Sequence, residues 1–161
     1  VEPSACRDAI AALLSREASA LEELAVFLDH EHALLVANDV DALEAAMEKR
    51  QESVGRLLHV EEERRVLCRM HGHTPDPAGL EKLLAWCDPD GTLKPRWADC
   101  AKGATRCREL NDKNGALVAA RMRRVETMLG ALTGEPQAPA TYGPRGAYSQ
   151  ARAGRMLTTE A

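Results

Sequence analysis

The chain has 161 residues, a formal net charge of −4, and only five aromatic side chains, Phe27, Trp86, Trp97, Tyr142 and Tyr148. So few aromatic and β-branched residues exclude a sheet architecture, and charges dispersed among Leu and Ala point to long helices. No apolar run approaches the ~20 residues of a membrane-spanning helix, and no stretch reads as a secretory signal, so stable membrane insertion is not expected.

Charge is distributed unevenly. Residues 1–65 hold fifteen acids against seven Lys/Arg, and residues 66–161 hold ten acids against fourteen. The front half is therefore suited to attract the back half. A mildly acidic chain is a poor nucleic-acid binder, because phosphate contacts need clustered Lys/Arg. The five cysteines are spread out, four of them inside apolar patterns, as expected of reduced, buried thiols in a cytosolic protein.

The first predicted helix runs from about Pro3 to Ala37. Ile10, Leu14, Glu17, Leu21, Leu24, Leu28, Glu31 and Leu35 recur in alternating steps of three and four, a seam of coiled-coil period. The motif NDVD then reads as a tight turn. Asp41 and Glu44 have the spacing of a capping box, so a second helix is expected from Asp41 to about Met70. Its apolar stripe is Leu43, Met47, Val54, Leu57, Leu58, Leu67 and Cys68. Arg50, Glu61 and Arg64 interrupt that stripe, which leaves the face partly wet.

HGHTPDPAG ends this helix with glycine and proline. The short amphipathic piece GLEKLLAWC follows, then the turn DPDGTLKP, with Thr92 as the expected N-cap of a last long helix from about Leu93 to Leu132. The seam of that helix includes Trp97, Cys100, Cys107, Asn111, Asn114, Val118, Arg121, Val125, Met128 and Leu132. Leu110, Leu117, Met122 and Leu129 flank it. Asn111 and Asn114 are structural candidates, since amides in a seam cost stability unless they are bonded across helices. From Thr133 onward Gly, Pro and small polar residues break helicity. The expected fold is all-α: an antiparallel bundle of three long helices plus one short helix over 1–133, and a flexible, weakly helical tail over 134–161.

Catalytic chemistry finds no footing. Cys68, His71 and His73, with Cys87 as a fourth donor, do not have a usual zinc spacing. The closest approach to the Glu-x-x-His of a di-iron bundle is the single Asp29-x-x-His32. Ser15, Ser19 and Ser53 lack a nucleophile elbow, and no Gly-rich phosphate loop exists. No catalytic residue, metal or cofactor is expected. Arg121, Arg123 and Arg124 read as a solvated face near a helix C-terminus. The methionines are adaptable side chains suited to exchangeable contacts, although at helical spacing such residues more often serve as core.

Two short motifs carry more. The segment Leu110-Asn111-Asp112-Lys113-Asn114-Gly115-Ala116-Leu117 resembles the LNxxNGxL core in the last long helix of the FlgN family, and the tail TYGPRG resembles that family's YGxxG ending. The front of the chain fits the same family by pattern alone. The resemblance implies a cytoplasmic flagellar type III export chaperone. It would bind the disordered C-terminal segment of the hook–filament junction proteins, prevent their self-association and deliver them to the export gate. It also implies docking to the cytosolic domain of the gate through Tyr142, with Gly143 and Pro144 shaping the chain around it, and the export ATPase as a further partner.

The residues suggest a mechanism. An amphipathic segment can fold as a helix in an incompletely filled apolar groove. The candidate groove takes Met47, Val54 and Leu58 from the second helix and Leu117, Met122 and Leu129 from the last. A tail tyrosine offers an apolar ring and a polar hydroxyl, a two-ended anchor for a partner's pocket. The rival reading is a coiled-coil scaffold that self-assembles through the leucine seam.

Overall fold

The computed structural model describes residues 2–134 of the chain. Four helices follow one another: α1 (Pro3–Ala37), α2 (Val40–Met70), α3 (Pro77–Cys87) and α4 (Lys94–Thr133). The described residues form an all-α structure, with three long helices and one short one. The chain divides into two compact units, Val1–Val118 and Ala119–Ala161, so the first unit ends inside α4. Tyr142, Gly143, Pro144 and Tyr148 lie outside the described residues.

An aspartate closes each of the three turns between helices. α1 starts with Pro3 in its first turn, where a missing N–H costs nothing, and ends on Asn38 in the left-handed region at φ 58°. The next residue, Asp39, caps α2 by accepting the Ala42 N–H at 3.1 Å. The sequence-based assignment of this cap to Asp41 is therefore corrected. α2 begins at Val40, so Asp41 already lies in the first helical turn, where its charge favours the helix dipole but its carboxylate caps nothing.

Asp76 caps α3 by accepting the Gly79 N–H at 2.7 Å and the Thr74 hydroxyl at 2.9 Å. Those bonds, the Gly79 one foremost, hold its carboxyl below the ordinary value. Glycine is required at 79, because a Cβ there would stand 1.8 Å from the Thr74 carbonyl oxygen. At the start of α4 the anchoring carboxylate is Asp88. It accepts the Thr92 hydroxyl at 2.6 Å and the Leu93 N–H at 2.7 Å. Thr92, expected as the cap, is instead a donor to Asp88.

The core of the first unit is built on α1. Ile10, Leu14, Leu21, Leu24 and Leu28 meet Cys68 of α2, Leu80, Leu83, Leu84 and Cys87 of α3, and Leu93, Cys100 and Cys107. Each fully buried leucine contributes roughly 1.5–3 kcal/mol. The buried face of α2 differs from the stripe read in the sequence. It consists of Ala46, Ser53, Val60 and Cys68, with Val54 and Leu57 half-buried beside it. Small side chains at seven-residue spacing face the core there, so Met47 and Leu58, one position away from the rows at 46, 50, 53, 57 and 60, point outward.

Polar contacts fix the helix directions. Glu17 pairs with Arg64 and Glu31 with Arg50, so fourteen residues forward along α1 match fourteen residues back along α2. The flanking pairs Arg16–Glu63 and Glu23–Arg56 step seven forward against seven back. α1 and α2 are thus antiparallel. Between α1 and α4 the pattern advances in the same direction. Cys100 Sγ, Cys107 Sγ and Asn114 Nδ2 donate to the carbonyl oxygens of Leu14, Leu21 and Leu28, at 3.4, 3.2 and 2.9 Å. Both series rise by seven, so α4 runs parallel to α1, as the third long helix of an up–down–up arrangement must. Gly103 permits the approach, since a Cβ there would lie 3.3 Å from Cβ and Cδ1 of Leu21.

Candidate functional site

The seam of the first unit holds an unusual amount of polarity, and nearly all of it is paired. Arg64 Nη1 donates to both carboxylate oxygens of Glu17, at 2.8 and 2.6 Å, and its guanidinium lies 5.0 Å from the ring centre of Trp97. Glu31 is 7 % exposed and its Oε2 stands 3.0 Å from Nε of Arg50. That contact is coulombic, because the N–H does not point along the line to the oxygen and neither atom has an aligned hydrogen bond. Ser53 is fully buried and its hydroxyl has no partner among the described residues. These charges register α1 against α2.

Asn114 is the buried amide of the seam. Its Nδ2 donates to the Leu28 carbonyl, so its Oδ1 is the acceptor facing His32 Nδ1 at 2.9 Å. The imidazole must therefore carry its proton on Nδ1. Asn111 is exposed, with Oδ1 3.4 Å from Nη1 of Arg50, a long contact from α4 to α2.

All five thiols are buried. Burial pushes Cys6 up to about 12 and Cys100 up to about 11, and Cys68, Cys87 and Cys107 move in the same direction for the same cause. Of the metal-site candidates, Cys68 is in the core and the His71 ring lies against Trp86, with centroids 5.3 Å apart. Among the described residues no three His, Cys, Asp or Glu side chains stand together in a way that could hold a metal ion. No described helix is long and apolar enough to cross a membrane.

Among the clefts of the first unit, two have walls formed by the long helices. The larger, about 880 Å3, is an open trough between α1 and α2 with Ser15, Ser19 and Ala20 on one wall and Gly55, Arg56 and His59 on the other. The smaller, about 210 Å3, lies beside Arg64, Cys68, Pro77 and Trp97. Neither is lined by any of the six residues assigned to a groove from the sequence. Met47 and Leu58 are exposed on α2, Val54 packs against the core, and Leu117 is half-buried on α4.

The other two, Met122 and Leu129, belong to an exposed apolar stripe of α4. In the part of α4 within the second unit, Met122, Val125, Met128, Leu129 and Leu132 are between 49 and 82 % exposed. Their spacing of three, three, one and three places them on one side of the helix. Val125 and Leu132 form one heptad row, Arg121 and Met128 a second, Met122 and Leu129 a third. A stripe three rows wide is what a helix presents when it packs into a bundle, and here it faces solvent. Of the two readings of the methionines, core and exchangeable contact, the core one fails for all four described ones: Met47, Met70, Met122 and Met128 are exposed. Unbranched, polarizable side chains suit a surface that receives varied apolar partners.

Comparison with known proteins supplies the biological setting. No curated protein and no solved structure matches the chain. The family model described as FlgN protein matches residues 7–150, which includes all of α2, α3 and α4. The chain therefore belongs to the FlgN family of flagellar export chaperones.

Proposed function

We propose that the chain is a cytoplasmic chaperone that holds the C-terminal segment of the hook–filament junction proteins as a helix on the second-unit stretch of α4. The observation that supports this reading most directly is the exposed stripe of Met122, Val125, Met128, Leu129 and Leu132. Five such side chains would each contribute roughly 1.5–3 kcal/mol on burial. Ordering the guest absorbs about 2–5 kcal/mol of that gain, so affinity falls in the range suited to a cargo that must later be released. Holding the guest as a helix hides its apolar face and blocks its self-association.

Delivery belongs to the tail. Tyr142, with Gly143 and Pro144, docks on the cytosolic domain of the export gate, and the export ATPase is a further partner. A tyrosine there can bury its ring while its hydroxyl keeps a hydrogen bond. Neither step needs a cofactor or a catalytic group of this chain.

The test is co-purification of the full chain with a peptide from the C-terminal end of a junction protein, read with far-ultraviolet circular dichroism. A gain of helix on mixing, lost in Val125→Asp, supports the reading. No complex and no helix gain refutes it. Tyr142→Ala should leave folding and cargo binding intact and reduce capture by the gate domain; a large loss of thermal stability would instead place the ring in a core.

A further inference from the structure

One residue on the exposed stripe is not apolar. Arg121 lies on the same heptad row as Met128, is half-buried, and has no ion-pair partner among the described residues. Any guest that covers Val125 and Met128 removes water from the guanidinium beside them. An arginine never sheds its charge at ordinary pH, so it must be paired or the complex is weakened.

The first unit shows how this chain handles the same problem. Arg50 and Arg64 both interrupt the apolar face of α2, and each meets a glutamate from a seam position of α1. The glutamates Glu31 and Glu17 are fourteen residues apart, as are the arginines, so the two pairs form together in only one antiparallel register. A charged seam residue here marks where a specified carboxylate from another helix arrives.

We infer that the α4 stripe selects a partner helix bearing a single carboxylate in the middle of its apolar face, placed opposite Arg121. The inference rests on the reading of this stripe as the cargo site and adds what the site discriminates. The occupant it fits is an amphipathic helix, apolar along three rows, with one Asp or Glu in the seam and no Lys or Arg there. Arg124, three residues on and at the edge of the stripe, extends the positive side and favours acidic residues along the matching edge of the guest. Apolar burial supplies strength without register, because a leucine row can slide by a heptad. The Arg121–carboxylate pair fixes register and rejects uncharged or basic seams.

The test uses the full chain and three fluorescent synthetic peptides of about 21 residues, three heptads long. They carry leucine on the seam rows, Gln and Ser elsewhere, and Glu, Gln or Lys at one central seam position. Fluorescence anisotropy is expected to show the Glu peptide binding about tenfold to a hundredfold more tightly than the Gln peptide. Arg121→Gln should erase that difference without abolishing binding, Arg121→Lys should keep part of it, and Arg121→Glu should transfer the preference to the Lys peptide. Equal binding of the Glu and Gln peptides to the unaltered chain overturns the inference and leaves the cargo reading standing. Binding of none of them to a chain with normal circular dichroism overturns both. A free chain that is a stable dimer, and that Val125→Asp converts to monomer, assigns the stripe to a second copy and also overturns the inference.

Discussion

Replacing Asn114 tests whether the seam between α1 and α4 is held as the structure shows. The amide is 4 % exposed and makes two bonds of 2.9 Å, to the Leu28 carbonyl and to His32 Nδ1. Each contributes about 0.5–1.5 kcal/mol net, so Asn114→Ala should cost about 2 kcal/mol. With a urea dependence of about 2 kcal/mol per molar, the unfolding midpoint falls by about 1 M. Cys107 and Cys100, one and two heptads earlier, suggest an informative intermediate. Each places a thiol donor against an α1 carbonyl. Asn114→Cys should therefore keep a donor to Leu28, lose the acceptor for His32, and cost about half as much. A double-mutant cycle with His32→Ala should return a coupling of about 1 kcal/mol for Asn114. The assay is urea unfolding followed by far-ultraviolet circular dichroism. A midpoint shift for Asn114→Ala below about 0.25 M, or no coupling with His32, would refute the reasoning.

Asp39→Ala should destabilise the protein by about 1 kcal/mol and Asp41→Ala by a few tenths, because only Asp39 caps α2; equal effects in the same assay would contradict this. Gly115→Ala should stabilise by roughly 0.8–1 kcal/mol through helix propensity, since a Cβ there meets nothing within 4 Å. Gly103→Ala should forfeit that gain, because its Cβ arrives 3.3 Å from Leu21. The Asp88 carboxyl is held below the ordinary 3.8 by bonds from Thr92 first and Leu93 second. A lowered folded pKa gives stability that is fully present above the unfolded value and lost as pH falls through the folded one. Asp88→Asn should therefore flatten the decline in stability below about pH 4, and an unchanged slope from pH 6 to pH 2 would count against the cap.

Helices and turns were legible in the sequence because their signals are local. The alternation of three and four from Ile10 to Leu35, the prolines at 3, 75 and 77, and the Asp-rich turns place every helix among the described residues to within about two residues. Among local signals the cap of α2 was misread: Asp39 and Asp41 are both plausible acceptors, and the backbone angle that selects one is not written in residue type. The YGxxG ending and the LNxxNGxL core carried the family, and the family match agrees.

What the tertiary structure decided is which face of each helix has a partner. Hydropathy placed Met47 and Leu58 in a groove and passed over Ala46, Ser53 and Val60, yet α2 packs through the small residues because its register is set by Arg50 and Arg64 reaching Glu31 and Glu17. The ion pairs were readable only in hindsight, as two acids and two bases with the same fourteen-residue spacing on neighbouring helices. Asn111 and Asn114 look alike in the seam, but only Asn114 lies at the level where a carbonyl and an imidazole await it. Periodicity marks a stripe as apolar whether it is covered or bare. The bare stretch of α4 could be told from the buried one only by its exposure, because burial is a property of the neighbour and not of the helix.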